Sequence, residues 1–330
     1  MKQYTNDRNI PLSVAVYLAT DNYQDPPDDG KKYISATTLL KSTRQIILAG
    51  RVDGTQYAKP VDISHMSAAR GGTALHDAIE NAWVNNYQTA MKSLGYPEKV
   101  IEKVILNPDP KDVKPGQIPV YMEQRFYKEL GDWNVTGQFD FCGDGRLEDF
   151  KQTGTFTYQY GVKDEDYMMQ GSIYKWGLPE IITKDTMAIQ FFFKDWSPRS
   201  VKQNNYPPAD MVEKEFPLKD TQWTENWIRN KLSQIDMYQD MPESALPECN
   251  DKELWRGNTV WKYYKDPSKV GGRSTKNFDT PQEANLRAVQ DGSVGIVIEN
   301  RSPPRACNYC AGAGMCSQRQ KYIQSGELKV

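Results

Sequence analysis

Apolar residues change their spacing several times along this chain, and each change marks an element. Ser35-Ala36-Thr37-Thr38 offers hydroxyls suited to a helix start, and Leu39, Leu40, Ile46, Ile47 and Leu48 follow at helical spacing. Leu75, Ile79 and Trp83 recur every four residues after Gly71-Gly72-Thr73, which predicts a second helix with a buried stripe. Residues 97–106 read as a short third helix with Pro97 in its first turn. From Pro119 the period shortens. Residues 119–130, 133–142 and 146–153 read as strands, with Gly143-Asp144-Gly145 as the turn between the last two. Asp164-Glu165-Asp166 opens another helix, its anionic start matched by Lys175 near an end at Gly177. Residues 187–194 form a buried strand candidate and 212–218 a weaker one, and residues 221–241 carry Trp223, Trp227, Ile228, Leu232 and Ile235 at helical spacing.

This order predicts an α/β fold, a central mixed β-sheet flanked by helices, with a C-terminal cysteine-ligated appendage. The loop-like run at 21–32 closes an N-terminal extension, residues 1–34. The core is expected over 35–245, and a basic, aromatic and cysteine-bearing module over 246–330. Aromatic residues make up 11% of the 330, enough for a packed core, so global disorder is excluded. Lys and Arg number 41 against 43 Asp and Glu, which excludes a bulk polycation but leaves room for a local basic channel. No apolar run approaches the ~18 residues of a membrane span, and the opening MKQYTNDRNIPLS lacks a secretory leader's apolar stretch. A cytoplasmic protein without membrane contact is expected.

Candidate chemistry centres on Asp140, Asp149 and Lys151. Alternate strand residues share a face, so Asp149 and Lys151 project together while Phe150 points into the core. A hairpin closed at 143–145 brings Asp140 beside Asp149, in a register that a bulge would shift by one. Two carboxylates can hold Mg²⁺ or Mn²⁺, and a neighbouring ammonium can stabilise charge building on a phosphate. The same spacing also suits a hairpin facing solvent. His76 and Glu80 stand four apart on one helix, and so do Gln170 and Tyr174 on another. Glu123 sits on the strand before Asp140, its facing open, and Glu80 and Glu123 are equally readable as solvated carboxylates.

In the order GTALHDAIE, GQFD, EDFKQT and QGSIY, these segments resemble the PD-(D/E)XK nuclease superfamily, specifically its RecB-like branch, over about residues 35–195. That branch includes AddB-type, CRISPR-adaptation-type and phage exonucleases with a C-terminal cysteine cluster. The resemblance implies a restriction-endonuclease-like core and a Mg²⁺- or Mn²⁺-dependent deoxyribonuclease, an exonuclease acting in recombination, repair or DNA processing. It assigns His76, Asp140, Asp149 and the Phe150 carbonyl to the metal and Lys151 to catalysis. Gln170 and Tyr174 would line the site and contact DNA. The alternatives are an endonuclease on the same core and a non-catalytic iron–sulfur or zinc protein that binds DNA. A homo-oligomer or a helicase or recombination partner is compatible with either activity.

Cys307, Cys310 and Cys316 crowd the C-terminus, and Cys249 precedes them by 58 residues. Four thiolates without a nearby histidine suit Zn²⁺ or a 4Fe–4S cluster. The resemblance implies the cluster, although in those nucleases the lone cysteine precedes the catalytic motifs and here it follows them. Cys142 reads as a small core residue. Between Trp261 and Lys276, five cations (Lys262, Lys265, Lys269, Arg273 and Lys276) interleave with Trp261, Tyr263 and Tyr264. That composition fits a DNA-holding surface or a solvated basic strand face.

Overall fold

The hairpin at the centre sets the geometry of the whole sheet. Asp144 and Gly145 both lie at positive φ, the type I′ combination whose twist matches paired strands, so Gly143 pairs directly with Arg146. The turn therefore has two residues and no bulge. A computed structural model of the chain describes residues 4–20, 26–52, 55 and 61–329, so the expected loop at 21–32 is described from Pro26 onward. The chain divides into two compact units, residues 1–40 with 59–233 and residues 41–58 with 234–330.

The first unit opens with β1 (Tyr4–Thr5), α1 (Leu12–Ala19), β2 (Lys32–Ser35) and α2 (Ala36–Leu39). A break at Leu40–Ser42 then separates α2 from α3 (Thr43–Val52), where one helix had been expected. Ser35 caps α2 by accepting the Thr38 amide, as its position suggested. After β3 (Val61–Asp62) comes α4 (Ser67–Ser93), which runs straight through Gly71-Gly72. Its Trp83, Tyr87 and Met91 pack on Val104, Val120, Met122 and Phe141. The expected helix over 97–106 shrinks to α5 (Glu98–Ile101), and Val104–Leu106 becomes strand β4, parallel to the next strand. Val104 and Ile105 are β-branched, and a short apolar run can go either way until a sheet edge claims it.

Next come β5 (Ile118–Leu130), β6 (Trp133–Gly143), β7 (Arg146–Thr153), α6 (Thr155–Tyr160), α7 (Asp164–Gly177), β8 (Thr186–Phe193), β9 (Met211–Pro217) and α8 (Thr221–Tyr238). The sheet is mixed and seven-stranded, in the order β4-β5-β6-β7-β8-β9, with β2 pairing along the other end of β6. Helices flank it, as the sequence indicated. Strand β7 lies parallel to β8, which requires the crossover that α6 and α7 supply.

One irregularity matters for the site. The β5–β6 ladder pairs Met122 with Phe141 and Gln124 with Phe139, leaving Glu123 and Asp140 as an unpaired step. Glu123 lies at φ 51°, in the left-handed region. On one side of this step Cys142 donates to the Ile181 carbonyl just beyond α7, and on the other Gly137 lies against the Tyr174 ring of α7. Phe141, of the same parity as Gly137, packs instead on Trp83 of α4, so the in-and-out alternation reverses between the two, across Glu123–Asp140.

The second unit gathers α3 with the C-terminal elements β10 (Val260–Tyr264), β11 (Lys276–Phe278), α9 (Pro281–Gln290), β12 (Ile296–Asn300) and α10 (Ser317–Gln324). A chain-order boundary at 245/246 does not describe this arrangement. Ile47 and Leu48 of α3 pack on Leu246, and Gly312 sits against the Leu48 backbone. The small sheet has the order β11-β10-β12. Tyr263 is fully buried and Tyr264 nearly so, so these two rings fill a core and cannot stack on bases as the sequence allowed. No described helix is long and apolar enough to cross a membrane.

Gly137 tests the packing of α7 on the sheet. A Cβ there would stand 2.8 Å from both Phe126 and Tyr174 ring carbons. Gly137→Ala is expected to destabilise the first unit by ~1–3 kcal/mol, read as a fall in thermal midpoint.

Candidate metal-binding active site

Four elements converge where the β5–β6 ladder breaks. Helix α4 supplies His76, whose Nε2 lies 3.1 Å from the Phe150 carbonyl oxygen and 3.4 Å from Asp140 Oδ2. The Phe150 amide donates to the same Asp140 oxygen at 3.1 Å, tying β6 to β7 beyond their last backbone pair. Glu123 of β5 joins them, and ligand atoms of His76, Glu123 and Asp140 all lie within 4.8 Å of one another. Phe150 keeps its ring in the apolar cluster with Phe141, as alternation required, which leaves its carbonyl to the site.

Asp149 and Lys151 project together from β7. The Lys151 ammonium is 2.6 Å from Asp149 Oδ2, and Asp149 is almost completely buried. Glu123 accepts from Gln138 Nε2 at 2.7 Å, and Gln138 Oε1 accepts from the Arg125 guanidinium at 2.7 Å. On α7, Gln170 Nε2 donates to the Tyr174 hydroxyl at 2.7 Å. Tyr174 is buried, so it serves as wall to the site. Gly71 lets α4 approach closely, since a Cβ there would meet the Gln152 side chain at 2.9 Å.

The electrostatics follow from crowding. Burial and the Asp149 charge push the Asp140 carboxyl up to about 7, against the pull of Lys151, His76 and the Phe150 amide. Burial likewise raises Glu123, with the Gln138 bond and His76 acting the other way. For Lys151, burial disfavours the ammonium, but the charges of Asp149 and Asp140 outweigh it and hold the proton well above the usual lysine range. The pocket thus has more carboxylates than its cations neutralise.

That donor set fits a hard divalent cation. Cis ligands of an octahedral ion at ~2.1 Å stand ~3.0 Å apart, close to the separations around His76 Nε2. Two carboxylates, a carbonyl and one imidazole suit Mg²⁺ or Mn²⁺. The structure therefore brings His76, Asp140 and the Phe150 carbonyl together as expected, adds Glu123, and sets Asp149 against Lys151. Glu80 lies near enough for its charge to act on Glu123. The signal for Glu123 was in the sequence: counting back from a two-residue turn at Gly131-Asp132 places it opposite Asp140. Nothing comparable marked Gln138 or Arg125.

The second unit holds the cysteines. Cys249, Cys307, Cys310 and Cys316 line one cavity with Arg44, Gln45 and Leu48 of α3. The Arg44 guanidinium is buried, ion-pairs with Glu243, and donates through Nε to Cys316 Sγ at 3.4 Å. Ser42 Oγ lies 3.2 Å from Cys249 Sγ, and Gln318 grips the Cys249 backbone at both its N–H and its carbonyl. Burial pushes the thiols of Cys249 and Cys307 up to about 11, reinforced by the other cysteines of the group. All four are free of disulfides. Cys142 is wholly buried in the sheet, as a small core residue.

No protein-family model matches the sequence, and no curated protein matches it. Among solved structures, the chain is similar to SSO0001 over 66% of its length and 81% of that protein's, with 14% identity and a TM-score of 0.37. It is also similar to a phage-related exonuclease from Haemophilus somnus 129PT, over 63% of this chain and 97% of that one, with 12% identity and a TM-score of 0.26. Likenesses this distant carry no argument about chemistry, which rests on the geometry.

The raised Asp140 pKa has a sign that can be checked. An acid raised in the fold penalises folding increasingly as pH climbs from its ordinary value of 3.8 towards about 7, and fully above that. Asp140→Asn keeps an acceptor for the Phe150 amide and removes the charge. In metal-free buffer it is expected to raise the thermal midpoint near pH 8, by ~2–4 °C for each kcal/mol recovered, and to leave it unchanged near pH 4.

Proposed function

We propose that this chain is a metal-dependent deoxyribonuclease of the PD-(D/E)XK, RecB-like kind, working on DNA ends as an exonuclease. The observation that carries the reading is the meeting of His76, Glu123, Asp140 and the Phe150 carbonyl beside the Asp149–Lys151 pair. His76, Asp140, Glu123 and the Phe150 carbonyl would hold Mg²⁺ or Mn²⁺, while Asp149, which the sequence also offered as a ligand, is engaged by Lys151. Such an ion supplies Lewis acidity towards a phosphodiester and makes water a stronger nucleophile at neutral pH.

The chain's own groups do the rest. Lys151, kept protonated by its neighbours, places a fixed positive charge where a phosphate gains negative charge in the transition state. Asp149 holds that ammonium in position. The Phe150 amide fixes the Asp140 carboxylate, and the Arg125–Gln138 relay fixes Glu123, so neither acid must reorganise when DNA arrives. Gln170 and Tyr174 close the wall behind them.

For the cysteine site we propose a structural 4Fe–4S cluster on Cys249, Cys307, Cys310 and Cys316. An all-sulfur donor set fits iron–sulfur or zinc, and the resemblance to RecB-like nucleases with a C-terminal cysteine cluster favours the first. The cations Arg44 and Arg319 that line this cavity offset the negative charge of four thiolates.

Wild-type protein is expected to degrade labelled linear DNA with Mg²⁺ or Mn²⁺ and to stop in EDTA. Asp149→Ala and Lys151→Ala should each lower the rate by about a hundredfold or more. Equal degradation by wild type and both variants would exclude the assigned site, and cutting of closed circular DNA would make it an endonuclease. Anaerobically purified protein is expected to be brown with bound iron and sulfide, and Cys249→Ser to lose both. Stoichiometric zinc in a colourless sample would replace the cluster assignment.

A further inference from the structure

Helix α6, which no sequence motif marked, presents an aromatic pair to solvent. Phe156 and Tyr160 stand four apart, with ring centroids 4.6 Å apart, and are 60% and 61% exposed. Two large rings left open on one turn of helix are unusual on a surface that does not bind. The residue between them behaves differently. Tyr158 turns inward, its ring edge-on to Phe191, and Phe191 in turn meets Tyr167. The Tyr167 ring lies 6.0 Å from the Lys151 ammonium. Helix α6 is therefore braced on the aromatic layer that backs the candidate active site, and it begins four residues after Lys151 on the same chain path.

The surroundings carry the chemistry of a phosphate-bearing ligand. An open groove of about 430 Å³ runs beside α6, lined by Tyr158, Gln159, Tyr160 and Tyr206 and by the ion pair of Lys214 with Asp164. Across from the helix the groove is walled by Asn205 and Tyr206 of the segment 196–209, which is anchored to the helix where Gln159 Nε2 donates to the Asn204 carbonyl at 2.8 Å. That segment holds Arg199 and Lys202, both exposed, and no carboxylate. Residues 155–163 contain no acid, and the Asp164 carboxylate that follows them in the groove wall is paired with the Lys214 ammonium at 2.6 Å. Aromatic faces open to stacking, adjoining cations and amide groups together match single-stranded nucleic acid, whose bases stack on any π-face while the backbone follows positive charge. A protein partner would gain little from the polar groove.

We propose that Phe156 and Tyr160 form a base-stacking platform that grips a single-stranded segment of the DNA substrate next to the catalytic strand. The proposal rests on the nuclease reading for its substrate, and its test does not use cleavage. Full-length protein in EDTA is titrated into a short single-stranded oligodeoxynucleotide carrying 2-aminopurine, whose fluorescence falls when the base stacks. Wild type is expected to quench the probe. Phe156→Ala and Tyr160→Ala should each weaken binding about tenfold and abolish most of the quenching, while Phe156→Tyr and Tyr160→Phe retain both. Both side chains are exposed, and an unchanged circular dichroism spectrum and thermal midpoint would confirm intact folding. The proposal falls if the double alanine variant binds and quenches like wild type, or if wild type does not quench. It also falls if the alanines abolish self-association while leaving DNA affinity unchanged, which would assign the patch to a second copy. Metal-dependent degradation of linear DNA, scored separately, decides the nuclease reading whatever the outcome here.

Discussion

Carboxylates from adjacent strands cannot all be charged in a shielded pocket unless positive charge is placed among them, and the first unit is built around that constraint. Asp140 and Asp149 lie on neighbouring strands, with the Lys151 ammonium against one and His76 against the other. The amide of Phe150 and the amide of Gln138 take up further oxygens. Even so, Asp140 holds its proton to about pH 7, so the arrangement remains short of positive charge. A surplus of this kind is costly in a core and useful where a cation is to be held, because its relief becomes binding energy.

The means by which the sheet gathers these groups is backbone geometry. A regular ladder would keep strict alternation through β5 and β6. Placing Glu123 at positive φ breaks the ladder for one step and reverses which residues face α7. Strain of this sort is tolerated where the surroundings hold it in place, and here the Arg125–Gln138–Glu123 chain does so. The irregular step and the acids coincide.

The second unit solves a different problem with the same economy. Four cysteines spread over 249–316 would make a loose loop by themselves. Helix α3, far earlier in sequence, forms one wall of their cavity and sends Arg44 to the Cys316 sulfur. Gly312 is the contact that permits this, because any side chain there would strike the Leu48 backbone. The unit is thus assembled from both ends of the chain.

Strand and helix periods, the existence of a turn within 143–145, the Asp149/Lys151 face and the cysteine spacing were all readable from local pattern, since each depends on residues within a few positions of one another. Other features depend on distant partners. Whether residues 104–106 join a sheet, whether Tyr263 faces solvent, and which unit claims α3 are decided by what packs against them. So is the inclusion of Gln138 and Arg125 in the site. The sequence alone determined which side chains can bind a cation and which strands present them. Only the tertiary structure decided which of them meet, because a meeting point depends on ladder register and on one residue's departure from it, and local propensity does not encode either.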